Sequence, residues 1–261
     1  MNLKKIKIDL LIHDLKVPLA VIESGITLLL RKPEKYGLLT AKQEKVLNRT
    51  LRNTRVIQML VNDLLELGRS REGIVNLTNF RLSNLFEGTL IELFDLVDSD
   101  TSERIKTCAG LTELKETLAK NDLVLLVDEG LWSQEFCLDE TKIKQILRNL
   151  LNNALKFRKS FVEITVDKKD DHLFLSVKDD GEGIPSVYHQ KIFESYFYLE
   201  AKNECTVRGS GLGLAGVMVL VEDLGGRLFI ESEEGKGAKF SVKVPLSKNC
   251  GHGLRPTNHS P

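Results

Sequence analysis

Apolar residues recur with a helical period through the first quarter of the chain. Leu11, Leu15, Leu19, Ile22, Ile26 and Leu29 keep spacings of three and four, which predicts a helix over about 3–31. Pro33 and Gly37 then punctuate residues 31–39. Thr40 with Gln43 has the form of a capping box, and Leu51, Ile57, Val61, Leu64 and Leu67 carry the stripe of a second helix to about Gly68. Two long helices with a short connection predict an antiparallel hairpin. A lone hairpin cannot bury so wide a stripe, so a second copy is expected, giving a four-helix bundle about a two-fold axis.

Residues 71–79 are polar and read as a hinge. Phe80 to Leu82 predicts a short strand, and Ser83 is placed to cap a helix to about Val97 with Leu85, Phe86, Leu90, Leu93 and Phe94 inward. Residues 98–121 carry charge without a period and predict no element. Leu123–Val127 and Trp132–Cys137 read as strands, and Asp139 as the cap of a helix. In that helix Ile143, Leu147, Leu150 and Ala154 form an apolar stripe, while Asn149, Asn153 and Lys156 form a polar one beside it.

The period then falls to two. Val162, Ile164 and Val166 alternate, then Leu173, Leu175 and Val177, around a hairpin at Lys168–Asp171. The second strand runs straight into Asp179. Pro185 and Ser186 begin a short helix ending near Phe193, and residues 201–208 are polar. Leu212–Leu224 is helical and stops at Gly225 and Gly226. Arg227–Glu231 and Ala238–Val244 make a last hairpin around Gly235–Gly237. Residues 249–261 lack an apolar period and predict a disordered tail. The expected organisation is a helical domain 1–70, a hinge 71–79, a second domain 80–248 and the tail, α+β overall.

Composition changes this picture little. The chain has 261 residues, 42% of them hydrophobic, with 37 basic and 37 acidic residues. A net charge of zero gives no electrostatic reason to expect a nucleic acid or an anionic membrane as partner. Lys4, Lys5 and Lys7 precede an apolar run, but His13, Asp14 and Lys16 interrupt it too soon for a signal peptide. No stretch approaches the ~18 apolar residues of a spanning helix, so a cytoplasmic protein without a membrane span is expected. Cys108, Cys137, Cys205 and Cys250 are far apart and form no CxxC pair, which predicts reduced thiols with no zinc site and no disulfide.

Three segments carry candidate chemistry, and together they have the parts of a nucleotide site. Asp179 ends a strand, so its carboxylate can project into a cleft and accept from an adenine amino group. Gly181 and Gly183 after it let the backbone come close, with positive φ where needed. Asn153 can offer its amide oxygen to Mg2+, which keeps several waters and needs few protein ligands. Asn149 and Lys156 can bond phosphate or sugar from the same face. Gly209, Gly211 and Gly213 clear side chains from the start of a helix, where N–H groups and the helix dipole favour phosphate.

This order of motifs resembles the histidine kinases of two-component signalling. Asn149–Phe157 looks like their N-box, Asp179–Ile184 the first glycine box, Ile192–Phe197 the phenylalanine box, Arg208–Leu214 the second glycine box and Gly235–Gly237 the last glycine turn. His13–Leu19 resembles the H-box of the dimerisation and phosphoacceptor domain. The resemblance implies a Bergerat ATP-binding fold, an α/β sandwich with helices on one face of a mixed sheet. It implies ATP and Mg2+ as cofactors, with Ile184, Phe193, Arg208, Leu212 and Leu214 joining the residues above at the nucleotide. It also implies that His13 is the phosphoacceptor, that Asp14 holds its Nδ1 proton, and that an aspartate in a response regulator receiver domain takes the phosphoryl group.

Pro18 removes the helix bond to the carbonyl of Asp14, so a bend is expected beside His13. The chain departs from the family at Val17, where many members carry Thr or Asn; a kinase with weak phosphatase activity is the expectation. With no sensor domain read in the chain, a separate sensor protein is a candidate partner beside the homodimer. Two alternatives remain: an ATPase of the gyrase or chaperone type, and a non-catalytic dimeric phosphotransfer scaffold.

Overall fold

The computed structural model describes residues 3–70, 75–193, 213–247 and 250. The chain divides into two compact units, 1–71 and 72–261.

The first unit holds α1 (Leu3–Arg31), a short α2 (Pro33–Tyr36) and α3 (Ala41–Ser70). The stretch read as a break thus contains a helical turn, started by Pro33 at a position where its missing N–H costs nothing. The capping box forms: Thr40 N–H donates to Gln43 Oε1 at 2.9 Å, and Gln43 N–H donates to Thr40 Oγ1 at 3.3 Å. Leu19, Ile26 and Val61 are buried in the hairpin. Glu23 on α1 fixes its register by accepting from Arg55 Nε at 2.8 Å and Gln58 Nε2 at 3.0 Å on α3. Burial works to raise the Glu23 pKa, but these two partners outweigh it and hold the carboxyl below its usual range. Leu15, Val17, Val21, Ile22, Val56 and Ile57 stay exposed, so the apolar stripe exceeds what one hairpin covers.

The second unit begins with β1 (Thr78–Arg81), α4 (Leu82–Val97), α5 (Ser99–Thr107) and α6 (Leu111–Ala119). It continues through β2 (Leu123–Leu126), α7 (Glu129–Ser133), β3 (Glu135–Leu138) and α8 (Glu140–Phe157). Then come β4 (Val162–Lys169), β5 (His172–Asp179), α9 (Gly213–Asp223), β6 (Arg227–Ser232) and β7 (Ala238–Pro245). Five strands form a mixed sheet in the order β2-β4-β5-β7-β6; β2 and β4 are parallel and the other pairs antiparallel. β1 and β3 make a separate antiparallel pair. The alternating residues Val162, Ile164, Val166, Leu173, Leu175 and Val177 are buried with Phe240, Val242 and Val244 in one core with α4, α8 and α9. This is the sandwich of helices on a mixed sheet that the motifs implied, and its single covered face explains the period of two.

Several local expectations fail. Residues 98–121, weakly patterned in sequence, fold into two helices with Thr101, Ser102 and Ile105, then Leu111, Leu114, Thr117 and Leu118, buried; each is only 9 residues long, too short for a period to stand out. Ser83 does not cap α4; the capping position is Arg81, which makes no side-chain bond there. Trp132 lies in α7, which Asp128 caps through the N–H groups of Gly130 and Leu131, so the strand starts only at Glu135. The helix expected after Pro185 is two 3-10 turns, Ser186–Tyr188 and Lys191–Phe193.

The expectation of free thiols also fails for two of the four cysteines. Cys137 on β3 forms a disulfide with Cys250, with Cα atoms 5.6 Å apart. Residues after β7 run back beside β3, where Ser247 N–H donates to the Cys137 carbonyl at 3.4 Å. A sequence separation of 113 hides the pair from any spacing rule. Cys108 is free, and Cys205 lies outside the described residues.

Candidate functional site

α8 is fixed at its N-terminal end. Asp139 caps it, accepting from Lys142 N–H at 3.1 Å through one oxygen and from Asn76 N–H at 2.9 Å through the other. Ile143, Ile146, Leu147, Leu150, Leu151 and Ala154 are buried and turn the polar stripe to one side. On that stripe Asn149 is buried, and Asn153 and Lys156 are half-buried. Asn149 Nδ2 reaches the carbonyl of Gly213, the first residue of α9, at 3.5 Å. At the far end of α9, Asp223 pairs with Lys142 at 2.5 Å, both side chains being at least 90% buried. The two helices are thus tied together at both ends of α9. Lys156 Nζ lies 4.7 Å from the centre of the Phe157 ring.

Asp179 is the last residue of β5 and only 5% exposed. Its Oδ1 accepts from Gly181 N–H at 2.9 Å. Burial pushes its carboxyl above the usual range, opposed by bonds from the Gly181 and Ala238 N–H groups and reinforced by the neighbouring charge of Asp180. A buried carboxylate at a strand end can also accept from an exocyclic amine.

Backbone contacts explain the glycines after Asp179. A Cβ on Gly181 would sit 2.3 Å from the Phe157 carbonyl oxygen at the end of α8, so here close approach is what excludes a side chain. Gly183 needs both freedoms: its φ is +73°, and a Cβ would meet the Glu233 carbonyl at 2.0 Å. The Gly235–Gly237 turn is stitched onto this loop. Gly235 N–H donates to the Glu182 carbonyl at 2.6 Å. Ser232 Oγ accepts from Ile184 N–H at 2.8 Å and donates to the Gly237 carbonyl at 2.8 Å. Sequence reasoning missed Ser232; its only signal is its place just before the glycine turn. Ile192 is buried, and Phe193 meets Phe240 edge-on with centroids 6.5 Å apart.

The fold therefore brings the end of α8, Asp179, Gly181, Gly183 and Ile184 together at one end of the central strand β5, with the start of α9 reached through Asn149. Gly213 opens α9, and Leu214 packs partly buried against the core. Arg208, Gly209, Gly211 and Leu212 lie outside the described residues. His13 lies within α1, its side chain outside the described part, with Asp14 and Val17 exposed beside it. α1 continues through Pro18 to Arg31.

Residues 138–248 match the family of histidine kinase-, DNA gyrase B- and HSP90-like ATPases. That family alone leaves kinase and gyrase-type ATPase open. Residues 10–73 match the His kinase A phospho-acceptor domain. The chain belongs to the histidine kinases of two-component systems. It is 28% identical over 245 residues to the sensor histidine kinase YkoH of Bacillus subtilis, covering 92% of this chain and 47% of that protein. It is 30% identical over 237 residues to the circadian input-output histidine kinase CikA of Synechococcus elongatus, covering 89% and 29%. The chain thus spans half or less of the length of these curated relatives.

Among solved structures, full-length ShkA in complex with AMPPNP matches with a TM-score of 0.61 at 23% identity, covering 92% of this chain and 46% of that one. The Acinetobacter baumannii histidine kinase AdeS matches with a TM-score of 0.54 at 21% identity, covering 90% and 98%. At such identities the likeness shows the histidine kinase fold. The ATPase domain makes ATP the nucleotide to which the site is suited. Among the described residues no three His, Cys, Asp or Glu side chains gather as a metal cage, and no helix is long and apolar enough to cross a membrane.

Proposed function

We propose that this chain is an ATP-dependent protein histidine kinase that phosphorylates His13 and passes the phosphoryl group to an aspartate of a response regulator receiver domain. The observation that carries this reading is the buried carboxylate of Asp179 at a strand end, beside an amide-bearing helix, in a chain whose helical hairpin matches a phospho-acceptor domain.

In this reading Asp179 accepts from the adenine amino group. Asn149 and Lys156 bond phosphate or ribose, and Ile184, Phe193, Leu212 and Leu214 line the nucleotide. Arg208, Gly209, Gly211 and Gly213 present the phosphates with donors and open backbone. The donor set suits magnesium rather than a transition metal: amide oxygens, with no thiolate or imidazole cluster among the described residues. Asn153 would hold Mg2+, which when bound neutralises phosphate charge. Asp14 holds the proton on Nδ1 of His13, leaving Nε2 to attack the γ-phosphorus while the bond to the ADP oxygen breaks.

The exposed apolar residues of α1 and α3 support a homodimer through the helical hairpin. A separate sensor protein and further domains of a longer chain are both suitable sources of input. A cytoplasmic site of action is proposed from the ATP donor and the receiver partner; the cysteines no longer argue for it.

The test is incubation of the purified chain with γ-labelled ATP and Mg2+, for wild type and His13→Gln. Acid-labile, base-stable label on wild type and none on His13→Gln is expected, with ATP affinity unchanged. Free phosphate without protein label would instead favour a gyrase-type ATPase, and absence of nucleotide binding a scaffold.

A further inference from the structure

Asp180 stands next to the proposed adenine carboxylate, and its side chain turns to the loop between α8 and β4. Its two oxygens accept from three consecutive backbone N–H groups: Lys159 at 2.9 Å, Ser160 at 3.0 Å and Phe161 at 3.1 Å. The Ser160 hydroxyl donates to it as well. Residues 158–161 are the whole connection between α8 and β4. A carboxylate near a helix C-terminus is disfavoured by the helix dipole, so this cluster of donors must outweigh that cost. Burial acts to raise the Asp180 pKa, and the bonds from Ser160, Phe161 and Lys159 overcome it and hold the carboxyl well below the usual range.

We propose that Asp180 is a positioning residue that sets the register between the two halves of the nucleotide site, α8 with its polar stripe and the end of β5 with Asp179. The geometry around it transmits any shift. The backbone on both sides of Asp180 is wedged: after it, Gly181 lies against the Phe157 carbonyl, and before it, the Asp179 carbonyl lies against Gly237. Lys156 lies three residues before the first N–H that Asp180 holds. With that anchor gone, the end of α8 and the strand end slide relative to each other, and ligands that must meet both lose alignment. Misplacement of about 1 Å can cost ~100-fold in a reaction.

This inference rests on the assignment of adenine to Asp179, and the experiment separates the two. Mg-ATP affinity of the full chain is measured by calorimetry for wild type, Asp179→Asn, Asp180→Ala and the double variant, with the melting temperature of each. Asp180→Ala should stay folded and bind ATP about 10-fold more weakly. The double variant should bind much more tightly than the product of the two single losses predicts, because both act through Asp179. Asp180→Asn, which keeps one acceptor oxygen, should recover part of the affinity, and it replaces Asp180→Ala in the cycle if that variant does not fold. Wild-type affinity in folded Asp180→Ala, or losses that multiply independently, would overturn the role of Asp180 and leave it a local loop brace. Wild-type affinity in Asp179→Asn alone would instead overturn the adenine assignment.

Discussion

Gly237 lies against the backbone of Asp179 so closely that a Cβ at position 237 would come within 2.0 Å of the Asp179 carbonyl oxygen. The two residues are brought together by β7 pairing with β5. The last glycine turn, which the motif order already singled out, therefore packs directly on the backbone of Asp179.

Gly237→Ala should damage both the fold and the site. Its φ of +84° disfavours any side chain, and the clash falls on backbone that cannot swing away. A loss of about 1–3 kcal/mol is expected from the conformation alone, with the Asp179 clash adding to it. Urea unfolding with and without ATP checks this. Gly235→Ala is the control: its φ is +83°, but no atom lies within 4 Å of the added Cβ. Equal ATP affinity in the two variants would refute the contact's importance.

Asp179→Asn should trade affinity for stability. The Asp179 pKa is raised in the folded state, so its contribution to stability is fullest below the ordinary carboxylate pKa and is lost as pH rises through the raised value. At pH 7 the buried charge is a net cost to the apo protein. The amide removes that cost while its oxygen still accepts from Gly181 N–H. The apo melting temperature should rise at pH 7, and the gain should vanish near pH 3. Loss of a charged hydrogen bond, ~1.5–3 kcal/mol, should weaken ATP binding ~10–150-fold. Thermal melts across pH with calorimetry read both effects.

Lys142 and Asp223 hold the head of α8 to the tail of α9 through a pair with little solvent access. Removing one partner takes the ion pair from a charge that stays largely buried. Lys142→Met should therefore cost about 3–5 kcal/mol, whereas Lys142→Met with Asp223→Leu should recover most of it. Denaturant midpoints of the single and double variants decide; a single loss under ~1 kcal/mol would mean that water replaces the partner.

Val17 is 54% exposed on α1, one helical turn after His13. It has no hydroxyl to hold a water against a regulator's phosphoaspartate. Decay of purified phosphorylated regulator should be slow with wild type in the presence of ADP and faster with Val17→Thr, while transfer from phosphorylated His13 is unchanged. Fast decay with wild type and no gain from Val17→Thr would rule the idea out.

What the sequence settled by itself is local. Helical spacing in α1, α3 and α8, alternation in β4 and β5, the capping box at Thr40 and the cap at Asp139 depend on residues within about one turn of each other, so a linear reading reaches them. It also exposed the order of motifs, because Asp179 and its glycines are contiguous. Where a segment is short or its buried positions are few, as in α5, α6 and α7, the period had too little length to emerge. What only the tertiary structure decided joins distant positions. Asp180 meets residues 159–161, Ser232 bridges Ile184 to Gly237, and Cys137 meets Cys250 across 113 residues. The first two contacts are made by sheet order and strand register, and the third by the chain after β7 returning beside β3; all follow from burying one common core and leave no mark on local spacing.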